Sequence, residues 1–370
     1  MRMSLSYALL IVSTLLTNQG AVAKTVQVGN CIPNLQTYVT ISQAIDAVTA
    51  GSTVRVCPGS YPEQVVITQP LTLQGVQSGN SGNPTITVPS GGLTKSVVLK
   101  NGISLFFQIA VLNTESSLVN IRDLAVDGTN NRVQFPASLA GIYYGNSSGA
   151  ITRVLTANQI ANRSGYGVFM ESDDSSSKTI SVSASSIRDF DAEGIRSNDT
   201  TPSSLKVSIT SNAVITSTLV ASQPASSGID SYAPGVISGN RISTQFQSEG
   251  TSSGTGIYVV SNTTVSNNTI SGFTGGIGLA GNSNTARSNE VSLAEAGIVI
   301  SGHGNTVEEN SIVNVIHDGE ALDFNCTGTS NTVIHNLVND SFWGIIDDNG
   351  TNVISPNTFS NVAQLISPPC

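Results

Sequence analysis

Apolar positions in this chain follow two periods. From Thr40 to Val48, Ile41, Ala44, Ile45 and Val48 share one helical face. Thr40 is suited to cap the first turn, with Gln43 three residues on, and Gly51 is suited to stop the helix. The pattern predicts a helix over 41–50. Beyond it the apolar residues alternate in short runs, over 53–57, 64–68 and 71–74, with Pro58-Gly59-Ser60 as a turn between the first two. No second helical pattern follows.

From about residue 140 the chain repeats itself. A Gly-aliphatic step recurs at Gly141-Ile142, Gly167-Val168, Gly194-Ile195, Gly228-Ile229, Gly256-Ile257, Gly276-Ile277, Gly297-Ile298 and Gly344-Ile345, with Ala321-Leu322 filling the one gap. A second signature follows the later steps, at Asn240, Asn268, Asn289, Asn310, Asn336 and Asn357, spaced 28, 21, 21, 26 and 21 residues apart. Such a period without helical patterning describes a β-solenoid, in which each coil is one repeat. The aliphatic of each step should point inward and form one continuous stack. The asparagines should occupy a tight corner, where Asn tolerates left-handed backbone angles, and their stacked amides should bond along the axis. The residue after each inward aliphatic points outward. Coil by coil this slot holds Tyr143, Phe169, Arg196, Asp230, Tyr258, Gly278, Val299, Asp323 and Ile346.

The segment from Tyr38 to Gly75 runs through the helix, a strand, Pro58-Gly59-Ser60-Tyr61 and Pro70-Leu-Thr-Leu-Gln-Gly75. It resembles the opening of right-handed parallel β-helix proteins of the pectin-lyase-like superfamily. The later repeats resemble the family called right-handed β-helix region or periplasmic copper-binding-protein-like β-helix. The resemblance implies an all-β fold: a single-stranded right-handed parallel β-helix with a short N-terminal capping helix. It gives a cap over 24–52, coils over about 53–362 and a tail over 363–370. It does not settle activity, because the superfamily holds lyases, hydrolases, esterases, epimerases and inactive binding proteins. Gly302-His303-Gly304 matches a polygalacturonase motif, but the acidic pair of that family is displaced, and no Lys follows Lys206. Asp323-Phe324 faintly resembles a pectin methylesterase motif, but no Arg follows Arg287. Copper, implied by one family name, does not carry over: soft sites need Met, His or Cys, and the exported part has only Met170, three scattered histidines and four cysteines assigned to bridges.

Composition narrows the partners. Only 11% of residues are charged, and 15 Lys and Arg against 24 Asp and Glu give a net charge of −9 without any basic run. Nucleic acid is disfavoured as a partner. Residues 1–23 read as a secretory signal: Arg2, the short apolar run from Ala8 to Leu16, then Ala21-Val22-Ala23 as the cleavage site. That run is too short for a membrane span. The expected location is therefore secreted or periplasmic. Cys31, Cys57, Cys326 and Cys370 all lie in the exported part, and their placement at opposite ends suggests Cys31–Cys57 and Cys326–Cys370 bridges. No cysteine metal site has the right spacing.

Two stretches break the charge-poor pattern: residues 163–199, with 11 charged groups, and the acidic run Glu308, Glu309, Asp318, Glu320 and Asp323 with His317. They read as solvated corner loops, as a polar groove, or as carboxylates for Ca²⁺; no other cofactor is indicated. The outward slot carries aromatics in three of its first five positions, with Arg196 and Asp230 between them. Rings beside hydrogen-bonding groups suit a sugar. The expectation is a polysaccharide bound along this face by Tyr143, Phe169 and Tyr258. If the protein is an enzyme (a polysaccharide lyase, glycoside hydrolase or carbohydrate esterase), Glu193, Arg196 and Asp230 are its catalytic candidates. The alternatives are a non-catalytic structural or surface-interaction rod, and aromatics packed beneath loops.

Overall fold

The computed structural model describes residues 22–77, 82–216, 227–244, 254–260, 262–316, 319–324, 328–346 and 350–366. Within them the chain winds as a parallel β-helix with three strands per complete coil. One coil comprises Lys178–Ser183, Ser186–Arg188 and Glu193–Asp199; the next comprises Leu205–Thr210, Ala213–Thr216 and Ser227–Ser231. Each strand pairs in parallel with its counterpart one coil on, as in Ile180 with Val207, Ile187 with Val214 and Ile195 with Ile229. Among the described residues the first strands of the coils form a 13-stranded sheet, and the second and third are joined in a 23-stranded one. The one antiparallel pair there is Ser96–Val98 against Ser104–Leu112.

The predicted inward stack is present. Ile142, Val168, Ile195, Ile229, Ile257, Ile277, Ile298, Leu322 and Ile345 are register partners in sequence and are all buried. The asparagine ladder is also present. From Asn212 through Asn240, Asn268, Asn289, Asn310 and Asn336 to Asn357, each Nδ2 donates to the next Oδ1 at 2.9–3.0 Å. The reason for asparagine differs from expectation. The left-handed residue is the one before it, as at Ser211, Gly239, Asn267, Ser288, Glu309 and His335. Asparagine is there for its hydrogen bonds: Asn268 Nδ2 also donates to Ile237 O, and its Oδ1 accepts from the Asn240 backbone N–H.

The helix spans Ile41–Asp46, with Thr40 capping Gln43 N, and is shorter than the predicted 41–50. Its last turn tightens at Ala47, whose N–H reaches Gln43 O and Ile45 O. Gln69 Nε2 then takes the carbonyls of Ile45 and Val48, so a side chain replaces further helical bonds. At the other end the last strand, Thr358–Ile366, runs past 362, held in register by Leu337–Ile346. Cys31 and Cys57 are bridged, with Cα atoms 5.8 Å apart. Cys326, Cys370 and residues 1–21 lie outside the described residues. Among those described, no helix is long and apolar enough to cross a membrane.

Candidate functional site

The repeat itself assembles the site. In Glu193-Gly194-Ile195-Arg196, Ile195 is inward, and strict alternation would turn Glu193 inward too. A Cβ on Gly194 would lie 2.5 Å from Val214 Cγ1 and 2.9 Å from the Phe190 ring. Both of those side chains are buried, so Gly194 faces the core as well. The chain bends at this corner, the alternation is reset, and Glu193 and Arg196 both face outward. One coil on, Asp230 is the register partner of Arg196, and Tyr258 is the partner of Asp230.

Arg196 Nη1 lies 3.1 Å from Glu193 Oε1 and 3.7 Å from Asp230 Oδ2. The two carboxylates thus flank one guanidinium nitrogen. Their other oxygens, Glu193 Oε2 and Asp230 Oδ1, are buried without a hydrogen-bond partner. Aromatic rings surround the cation: its centre is 5.2 Å from the Tyr232 ring and 5.9 Å from those of Tyr166 and Phe169. Tyr258 stands 6.1 Å from Tyr232, ring to ring. The side chains of Arg196, Glu193 and Asp230 remain 24%, 17% and 10% exposed, enough to be touched from solvent but largely dried.

Burial governs their ionisation. Loss of water raises Glu193 to about 7; Arg196 opposes this, and the Asp230 charge adds to it. Burial likewise raises Asp230 to about 6 against the pull of Arg196. The cluster therefore holds two carboxyl groups that both keep their protons to higher pH than usual, Glu193 to the higher pH of the two. Two carboxyl groups held this way can protonate a leaving oxygen and accept a proton or a developing positive centre.

The five outward residues Tyr143, Phe169, Arg196, Asp230 and Tyr258 are neighbours in one column, as the repeat phase requires. Their expected exposure is corrected for two of them. Tyr143 and Phe169 are buried with Leu99, Leu105, Phe107, Ala110 and Ala140, and Val97 packs on that cluster. The antiparallel strand Ser96–Val98 folds back against Ser104–Leu112 at this end of the column, and Val97 packs on the ring cluster while Val98 stays exposed. Tyr258 stays half-buried. The open part of the column therefore begins at Arg196.

Sequence reasoning missed Tyr166 and Tyr232. Tyr166 lies two residues before inward Val168, the slot that Glu193 fills one coil later. Tyr232 lies three residues after Ile229, the next outward position just past the strand Ser227–Ser231. Both were accessible by extending the phase argument one position each way.

Several members of the 163–199 charge cluster are structural. Asp191 accepts from the backbone N–H groups of Ala161, Arg163 and Gly165. Lys178 is buried against Asp174 and Ser176. Glu171 takes Tyr143 Oη–H and Asn198 Nδ2–H at 3.2 and 3.1 Å. For Ca²⁺, no group of three or more His, Cys, Asp or Glu stands together among the described residues. His317 and Asp318 lie outside those residues. His303 is exposed, and its Nδ1 pairs with Thr329 Oγ1.

Comparisons with known proteins agree with this architecture. The family model described as Right handed beta helix region matches residues 209–359. No curated protein matches. The GH136 lacto-N-biosidase from Eubacterium ramulus is 12% identical, with a TM-score of 0.63 over 91% of this chain and 68% of that one. The Dettilon tailspike protein is 16% identical, with a TM-score of 0.57 over 85% of this chain and 62% of that one. The A-module of the Azotobacter vinelandii mannuronan C-5 epimerase AlgE6 is 16% identical, with a TM-score of 0.52 over 89% and 95%. Identities this low speak to the fold, and they agree with the coil, the ladder and the stack: the chain is a right-handed parallel β-helix protein.

Proposed function

We propose that this is an extracytoplasmic protein that binds a polysaccharide along the open part of the outward column and cleaves it at Glu193, Arg196 and Asp230. The carrying observation is the guanidinium of Arg196 between two largely buried carboxylates, each with one oxygen left unbonded. Contact with a shared nitrogen keeps the facing carboxylate oxygens within about 7 Å of each other. That suits a pair flanking a glycosidic bond. Glu193, which keeps its proton to the higher pH, is the proton donor; Asp230 is the base or nucleophile. Arg196 holds both in place and offsets their charge.

Of the reaction classes open to this fold, glycoside hydrolysis fits best. Arg196 is already engaged by two carboxylates, so it is a poor partner for the acidic sugar that a uronate lyase needs. The site's charges nearly cancel, which suits a neutral ring stacked on Tyr232 and Tyr258. The fold likeness to a lacto-N-biosidase, a tailspike and a mannuronan epimerase supports a carbohydrate partner. The disulfide supports an oxidising compartment.

A glycan array with the purified protein, followed by chromatography of products from each bound glycan, tests the proposal. It predicts binding that weakens in Tyr258→Ala and Tyr232→Ala with the melting temperature kept, and product formation that stops in Asp230→Asn. Binding without any product would leave a non-catalytic module, and no glycan binding would leave the structural rod.

A further inference from the structure

A second cluster lies on the other sheet. The strand Leu118–Arg122 belongs to the 13-stranded sheet, whereas the Glu193–Asp199 strand belongs to the 23-stranded one. Ile121 is buried in the core, so Asn120 and Arg122 on either side of it face outward. They line a cavity of about 250 Å³ with Thr72, Thr152 and Arg153.

The charges there do not balance. Arg153 is held by Asp123 through two bonds, Nε to Oδ1 at 2.6 Å and Nη2 to Oδ2 at 3.1 Å. That pair is neutral. Arg122 has no carboxylate of its own among the described residues. Its Nη2 donates to Gln74 Oε1 at 3.0 Å, and its Nε is buried with no acceptor. Gln74 and Thr152, its register partners in the coils on either side, are uncharged. A half-buried guanidinium in a chain of net charge −9 thus keeps a whole positive charge and most of its hydrogen-bond donors unused. Uncharged hydroxyl and amide groups from Thr72, Asn120 and Thr152 stand around it in the cavity.

We propose that this cavity is an anion subsite that takes the oxyanion of an acidic sugar, a carboxylate or a sulfate. The Nη1 hydrogens and the second hydrogen of Nη2 form the fork that bonds the oxyanion, and the hydroxyl and amide groups of the wall bond the sugar. Arg122 fits this role as Arg196 does not, because its charge is free. The site is independent of cleavage at Glu193.

Calorimetric titration of the full chain with sodium digalacturonate, sodium sulfate and lactose tests it. The expected result is weak binding of digalacturonate, of sulfate or of both, suppressed by added salt, with any heat from lactose unchanged in Arg122→Gln. Digalacturonate alone would assign a carboxylate, and sulfate alone a sulfate. Arg122→Gln should lower the anion affinity at least about 10-fold, as expected for loss of a charge-assisted pair. Arg122→Lys, which keeps the charge and loses the fork, should fall between. Glu193→Gln should bind the anion like the parent. Failure of both anions to bind, or equal affinity in a folded Arg122→Gln protein, would overturn the proposal.

Discussion

Replacing Glu193 by glutamine removes a charge that the fold disfavours, so its effect must depend on pH. In the folded protein Glu193 is raised from 4.5 to about 7. The unfolded chain ionises it near the lower value. Below about pH 4.5 the group is neutral in both states and contributes no difference. Between 4.5 and 7 only the unfolded state loses its proton, so stability falls as pH rises. Above 7 the loss is complete. A shift of this size corresponds to about 3 kcal/mol, since each pKa unit is about 1.4 kcal/mol. Glu193→Gln should therefore gain on the parent by about 3 kcal/mol between pH 4.5 and 8, with most of the gain below pH 7. Asp230, also raised by burial, is coupled to Glu193 through their shared Arg196, so the pH dependence of the difference belongs to the pair. Urea denaturation of parent and variant across this range measures it. A difference independent of pH, or a variant that loses ground at pH 8, would refute the assignment of Glu193 as a dried carboxyl.

Three further outcomes follow from the coil. Ile257→Ala empties a fully buried slot between Ile229 and Ile277 and should cost about 2–5 kcal/mol. Because solenoid coils contact only their neighbours, hydrogen exchange should rise most in the adjacent coils. Asn268→Ala leaves the Asn240 amide and backbone N–H without their acceptor and should cost more than about 2 kcal/mol by denaturant titration. Reduction of Cys31–Cys57, which closes a 26-residue separation, should cost about 3 kcal/mol at the N-terminal cap, read as faster proteolysis there.

What was legible in the sequence was whatever the coil repeats. Ile142 to Ile345 could be placed in one stack, and Arg196 beside Asp230, because a fixed phase maps position to direction. The Asn240 ladder was legible for the same reason. A second ladder was not picked out: Asn284, Asn305, Asn331 and Asn352 also pass bonds from backbone N–H to side-chain oxygen along the axis. Its asparagines stand on another corner and share the same Asn-x-aliphatic pattern, in Asn284-Thr-Ala286, Asn305-Thr-Val307, Asn331-Thr-Val333 and Asn352-Val-Ile354, so this ladder too was legible. The exclusion of Tyr143 and Phe169 was illegible because it depends on an insertion near 96–104 that obeys no repeat. Glu193 was found through local charge, yet its outward direction depends on the bend at Gly194, a feature of packing against Val214. The helix end was missed because Gln69, distant in sequence, takes its carbonyls.

The most direct test is the pH–rate profile for cleavage of the glycan that binds best, measured alongside its affinity in Glu193→Gln and Asp230→Asn. kcat/KM should be limited by one group near 6, Asp230, and another near 7, Glu193. It should fall at least about 100-fold in each variant while affinity stays within a few-fold. Turnover that survives both substitutions with an unchanged profile would contradict these assignments.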